Sequence, residues 1–375
     1  MRHGSTFRGF VVGDADTPPA SDVTPHGQAI AKAIRAVGTA ALVAAATVAG
    51  GCASFLAGEI VQPPNAGKTP EAVSGDDRVA VGLLDVERVE RVEVGPPAAE
   101  IACWVLEPAG GEAPRGTVFV LHGFGDGPFW MLGKGKALAE AGYRAIVVAL
   151  RGYAGSTGDV RTFTAIERCD LTQVLDELLA RGVAVPPIGV WGMSYGASTA
   201  IAWAGEDPRL EAVVAVAGFS SMREITPHFV RTLAAPLTIG IDDAAFDALV
   251  RDAATRGGFE LDAAEVTGAM AKTDAAVLIM HGEWDLLVPP EHGERLAGAG
   301  NAKTEFVRLP ARGHVGAWMD VDGRAKKEGL QWLERWMRGD EVGSQDSGVR
   351  SQESGGGGGG TAQTASRFRR MHPEP

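Results

Sequence analysis

Three residues of different chemistry follow one another along the chain in an order that could build a nucleophilic centre. They are Ser194 in "GMSYG", Asp285 in "HGEWDLLVP" and His314 in "RGHVG". A serine hydroxyl is a poor nucleophile near neutral pH. It needs a base to take its proton, and the base needs an acid to fix its tautomer. The G-x-S-x-G spacing alone is a weak signal in a chain with 51 glycines, where it can simply be a turn that ends a strand. Its context is more specific. "IGVWG" leads in as an apolar strand and "ASTAIAW" leads out as an Ala-rich helix, the setting of a nucleophile elbow. In such a turn the serine takes a strained backbone, and Gly192 and Gly196 omit Cβ atoms that would collide where strand meets helix.

In this strand-turn-helix setting the partners come after the serine, acid first and histidine second. Asp285 lies just past the apolar run "AAVLIM", and His314 lies in a loop just past "TEFVRL". The rival acids are Glu283 and Asp320, and the rival bases are His292, at what reads as a helix start, and His372 in the tail. His281 precedes the acid and reads as structural. A negative charge developing on a substrate oxygen needs two backbone N–H donors. Tyr195, directly after the serine, supplies one candidate. Phe124 in "LHGFGDGP" supplies the other, with a turn whose phenylalanine packs inward as the alternative.

These residues must be held by something, and the chain between about 80 and 338 alternates as a layered domain does. "VERVERVEV" and "EIACWVLEP" show the two-residue period of edge-type strands, whereas "GTVFVLHG", "YRAIVVAL", "IGVWG", "LEAVVAVAGF" and "AAVLIMHG" are continuous apolar runs. "KGKALAEAG", "AIERCDLTQVLDELLARG" and "ASTAIAWAGEDP" read as helices between them. The expectation is an α/β domain at 80–338, with a mostly parallel sheet flanked by helices. Residues 220–274 are too many for an ordinary crossover and predict a small helical cap insertion over the site. "LQWLERWMRG" closes the domain as an amphipathic helix, and 339–375, rich in glycine and serine, reads as a disordered tail.

The amino-terminal end has another character. Residues 1–58 read as a leader and 59–79 as a linker. Lys32 and Arg35 precede a run from Ala36 to Gly58 without a charge, which is export-signal composition. "VAGGC" is similar to a bacterial lipoprotein signal, with Cys52 as the lipidated residue. An uncleaved membrane anchor and a plain Ala-rich helix are the alternatives. The expected location is outside the cytoplasm, on a membrane. A net charge of −12 without a basic stripe argues against nucleic acid. The three cysteines, Cys52, Cys103 and Cys169, have no metal-ligand spacing, and neither a metal nor a cofactor is expected.

Residues 80–338 resemble the α/β-hydrolase superfamily through "HGFGDGP", "ALRGYAGSTGD", "GMSYG", "HGEWDLLVP" and "RGHVG", in family order. The elbow and acid loop are similar to those of prolyl-oligopeptidase-like peptidases, dienelactone-hydrolase-like enzymes and small esterases. Arg151, Gly152 and Asp170 match structural positions of the superfamily. The resemblance implies an α/β-hydrolase fold and a serine hydrolase acting on a small-molecule ester or related acyl compound. Peptidase, thioesterase and acyltransferase activities use the same groups, and a non-catalytic anchored binding protein is the alternative from another class.

Overall fold

The computed structural model describes residues 54–338, apart from 84–85, 126, 234 and 239–240, together with Phe368–Arg369. Eight strands form its sheet: β1 (Arg88–Val94), β2 (Ala99–Leu106), β3 (Thr117–Leu121), β4 (Arg144–Val148), β5 (Ile188–Met193), β6 (Leu210–Val216), β7 (Ala276–Gly282) and β8 (Thr304–Leu309). Their order is β1-β2-β4-β3-β5-β6-β7-β8, and the pair β9 (Phe368–Arg369) adds to the β8 edge. The first two strands and the β2–β4 pair are antiparallel, and every other pair is parallel. β5 sits mid-sheet and is buried along its whole length, which explains its unbroken apolar sequence.

Side chains alternate between two cores, one on each face of the sheet. Phe119, Leu121 and Val190 enter one, and Val118, Val120 and Trp191 enter the other. Helices α4 (Glu167–Ala180), α5 (Tyr195–Ala204) and α9 (Glu291–Ala299) cover the first face, with Leu171, Trp203 and Leu296 in its core. Helices α3 (Leu132–Glu140) and α11 (Arg324–Trp336) cover the second through Leu138, Trp332 and Leu333. Between β6 and β7 run α6 (Met222–Leu233), α7 (Asp243–Gly257) and α8 (Val266–Met270), whose Ile225, Phe246 and Met270 join the first core. The α7 ends are set by side-chain chemistry. Asp242 accepts from the Ala245 amide at 2.8 Å, and Gly258 closes the helix at φ 68°. Arg151 donates to Asp170 at 2.6 and 2.8 Å, a buried two-point ion pair tying the loop after β4 to α4.

Several expectations need correction. Residues 54–58, expected as the end of the leader, and 59–79, expected as a linker, are largely helical and continue into the domain expected from 80. They form helix α1 (54–61) and helix α2 (Pro70–Leu83). Leu56, Ala57, Ile60 and Val61 make one apolar face of α1 and are buried in the first core. The Ala-rich run ahead of them masks that periodicity. In α2, Asp77 accepts from the Trp104 indole at 2.8 Å and pairs with Arg91, fastening the helix to β2. β2 is therefore not an edge strand, since β1, β4 and α2 cover it. His314 is not in a loop, because it opens the short helix α10 (His314–Met319). Most of the tail expected to be disordered, and Cys52 with the leader before it, lie outside the described residues. Among the described residues no helix is long and apolar enough to cross a membrane.

Candidate active site

The turn from β5 into α5 gives Ser194 φ 52° and ψ −112°, a left-handed conformation costing about 1–3 kcal/mol for a residue with a side chain. Sheet pairing holds it there: its amide donates to the Val216 carbonyl at 2.8 Å. The two flanking glycines serve different contacts. A Cβ on Gly192 would run into the Gly196 carbonyl. One on Gly196 would run into the carbonyls of Leu121 and His122, at the end of β3. The elbow is thus pressed against the loop that carries Phe124.

Asp285 and His314 come to the serine from the ends of β7 and β8. The His314 Nε2 lies 3.0 Å from the Ser194 Oγ, and its Nδ1 lies 2.7 Å from the Asp285 Oδ2. Asp285 is held at its other oxygen by the amides of Leu287 at 3.0 Å and Val288 at 2.8 Å. Burial alone would raise its carboxyl. Hydrogen bonds from His281, His314 and the Val288 amide outweigh that effect and keep it well below the usual carboxylate range. The carboxylate can only accept, so the His314 Nδ1 donates to it, leaving the Nε2 lone pair to accept the serine proton.

The rivals have other occupations. Glu283 accepts from the Ala311 amide at 3.4 Å in an exposed position. Asp320 pairs with Lys134 at 3.2 Å and accepts from the Ala325 and Lys326 amides, both at 2.7 Å, at the start of α11. His292 is buried and shares a contact of 2.8 Å with the Ser220 hydroxyl; burial and then Arg295 push its imidazole down to about 3. His281 donates to the Val288 carbonyl at 2.8 Å and stands 3.5 Å from Asp285, a bracing position behind the acid. His372 lies outside the described residues.

Phe124 and Tyr195 both line the pocket that opens on Ser194. Tyr195 is the first residue of α5, where amides have no partner within the helix. The Phe124 loop is braced by His122, whose Nδ1 donates to the Gly123 carbonyl at 2.8 Å while its Nε2 accepts from the Leu150 amide at 3.1 Å. Burial pushes this imidazole down to about 4, so it stays neutral. Ile60, Phe163, Phe219, Ile225, Thr226, Phe229 and Val288 complete the pocket wall. Its free volume is about 20 Å³, near that of one water-sized sphere. Most of these wall residues were invisible in the sequence, because α1, the loop after β4, α6 and the loop after β7 each contribute only one to three of them.

The comparisons with known proteins agree with this architecture. Residues 105–240 match the family model of X-Pro dipeptidyl-peptidase of the S15 family, a span that includes the elbow. No curated protein matches the sequence significantly. Among solved structures, an esterase of Pyrococcus furiosus is similar at 20% identity and a TM-score of 0.55, over 74% of this chain and 100% of that one. A 2,6-dihydroxy-pseudo-oxynicotine hydrolase is similar at 18% identity and a TM-score of 0.54, over 72% of this chain and 73% of that one. The Mycobacterium tuberculosis protein Rv0554 is similar at 19% identity and a TM-score of 0.50, over 66% of this chain and 99% of that one. At such identities the structures speak to fold alone. Sheet order, elbow and these structural likenesses give this chain the α/β-hydrolase fold.

Proposed function

We propose that the protein is a serine hydrolase that cleaves a small carboxylic ester or related acyl compound through an acyl-enzyme. The observation that carries this reading is the continuous relay from Asp285 through His314 to Ser194, with contacts of 2.7 and 3.0 Å. The Ser194 Oγ attacks the acyl carbon as its proton passes to the His314 Nε2. The carbonyl oxygen, now negative, receives the Phe124 and Tyr195 amides. Collapse expels the alcohol, which takes the proton back from His314. Water then repeats the sequence on the acyl-enzyme and releases the acid.

The pocket favours an ester over a peptide amine. Its wall is apolar except for the hydroxyl-bearing Ser194, Thr226 and Tyr195, and no carboxylate is among these residues to face a peptide amino terminus. The peptidase reading retains the support of the family-model match. Short-chain aryl esters should be turned over at least ~10-fold more efficiently, in kcat/KM, than an X-Pro anilide, given a pocket that binds one class and leaves the other's ammonium group unpaired. A preference for the anilide would replace esterase by peptidase while keeping the same mechanism.

The same proposal includes export. The uncharged run ending near Cys52 motivates lipidation of that cysteine. Cells fed a clickable fatty acid should incorporate it into the wild-type protein and not into a Cys52→Ser variant. Label retained in the variant, or absent from both, would refute attachment at Cys52.

A further inference from the structure

We infer that Arg161 is a positioning residue for the oxyanion loop, held in place by the carbonyl end of helix α1. The inference rests on the serine hydrolase reading above and goes beyond the triad. Arg161 is buried, with 5% of its surface exposed, and its guanidinium lies 3.5 Å from the centroid of the Phe124 ring. A cation this close to an aromatic face is attracted to the ring's electrons and fixes the ring plane. One Nη donates to the Tyr153 hydroxyl at 2.5 Å, and that hydroxyl donates to the Phe124 carbonyl. The guanidinium therefore grips Phe124 twice, directly through its ring and through Tyr153 at its backbone.

The remaining donors turn away from the pocket. They reach the carbonyls of Glu59 at 3.2 Å, Ile60 at 2.8 and 2.9 Å and Gln62 at 3.3 Å, where α1 ends. The Arg161 amide donates to the Val61 carbonyl at 2.8 Å. These are the carbonyls that a helix leaves without partners, at its negative end, and they suit a buried cation. Only a guanidinium has enough planar donors to satisfy this set and stack on a ring at once. The next residues are equally fixed. Phe163 at φ 51° and Thr164 at φ 86° hold left-handed conformations, and the buried Glu167 carboxylate accepts from the Thr162 amide and hydroxyl and the Thr164 amide at 2.6–3.0 Å. Phe163 and Ile60, from either side of this junction, are both pocket wall.

A donor that must meet charge formed only at the tetrahedral stage contributes to turnover more than to ground-state binding. Displacement of a reacting group by about 1 Å costs ~10²-fold in rate. In the full chain, Arg161→Met should therefore lower kcat by ~10²-fold with KM within ~3-fold of wild type, and Arg161→Lys should recover about 10-fold of that loss by restoring the cation without the planar fork. Tyr153→Phe, which keeps the arginine and removes only the hydroxyl bridge, should lower kcat by ~10-fold, again with KM nearly unchanged. If Arg161→Met does not fold, the Tyr153→Phe kinetics decide. A kcat within ~3-fold of wild type in either folded variant, or a loss confined to KM, overturns the inference. Failure of the underlying reading is separately visible, as wild-type turnover that does not depend on Ser194.

Discussion

Ser194→Ala should reduce ester turnover by ~10⁴-fold or more while leaving the melting temperature nearly unchanged. The two halves of this expectation come from different features of the elbow. Turnover falls because the Oγ that lies 3.0 Å from the His314 Nε2 is the atom that would form the acyl bond. Stability holds because the strain at φ 52° resides in the backbone, and alanine carries the same Cβ as serine. The hydroxyl is not a structural donor to the fold, since it is the Ser194 amide that bonds to Val216. Turnover of a short-chain aryl ester, fluorophosphonate labelling and thermal unfolding measured on one preparation would check it. Wild-type turnover or labelling in the variant would dismiss Ser194 as the nucleophile.

The elements that carry this chemistry were legible in the sequence because each announces itself locally. Buried parallel strands read as apolar runs, and the runs ending at Met193, Gly282 and Leu309 present Ser194, Asp285 and His314 within a few residues. The elbow glycines are readable because two backbones approach too closely for a Cβ, a demand that falls on single positions. What could not be read is whatever depends on distant partners. Arg161 in "GDVRTFT" has no motif, and its meaning comes from Phe124, Tyr153 and the carbonyls of α1, far away in sequence. Helix α1 was hidden differently, because the low-contrast Ala-rich run before it blurs a four-residue apolar face. The helix that His314 opens was obscured because the residues before it read as loop, and Pro310 and Ala311 do turn.

The docking of α1 also changes how the amino terminus bears on function. Ile60 is pocket wall and lies eight residues after Cys52 in sequence. A lipid at Cys52, as proposed above, would be attached two residues ahead in sequence of the helix that also holds Arg161.

Asp285→Asn should lower kcat by ~10⁴-fold, although the substitution changes one heavy atom and leaves the shape intact. The Leu287 and Val288 amides both donate to the Asp285 Oδ1. In asparagine only one atom can accept, so the amide oxygen takes that position and the NH₂ group faces His314. A donor opposite the Nδ1 forces the imidazole into the tautomer that carries its proton on Nε2. That nitrogen then donates towards the Ser194 Oγ and can no longer accept its proton. The loss should appear in kcat and kcat/KM alike, with KM little changed, because the substrate pocket does not involve Asp285. The folded-state carboxyl lies below its unfolded value, so its pairing contributes stability above the ordinary aspartate range, and this is lost as pH falls through the lowered folded value. The variant lacks that contribution throughout. Its melting temperature should fall below wild type at neutral pH, and the difference should narrow as the medium is acidified. An Asp285→Asn enzyme with turnover within ~10-fold of wild type would leave the acid's role to another residue, with Glu283 the nearest carboxylate in sequence.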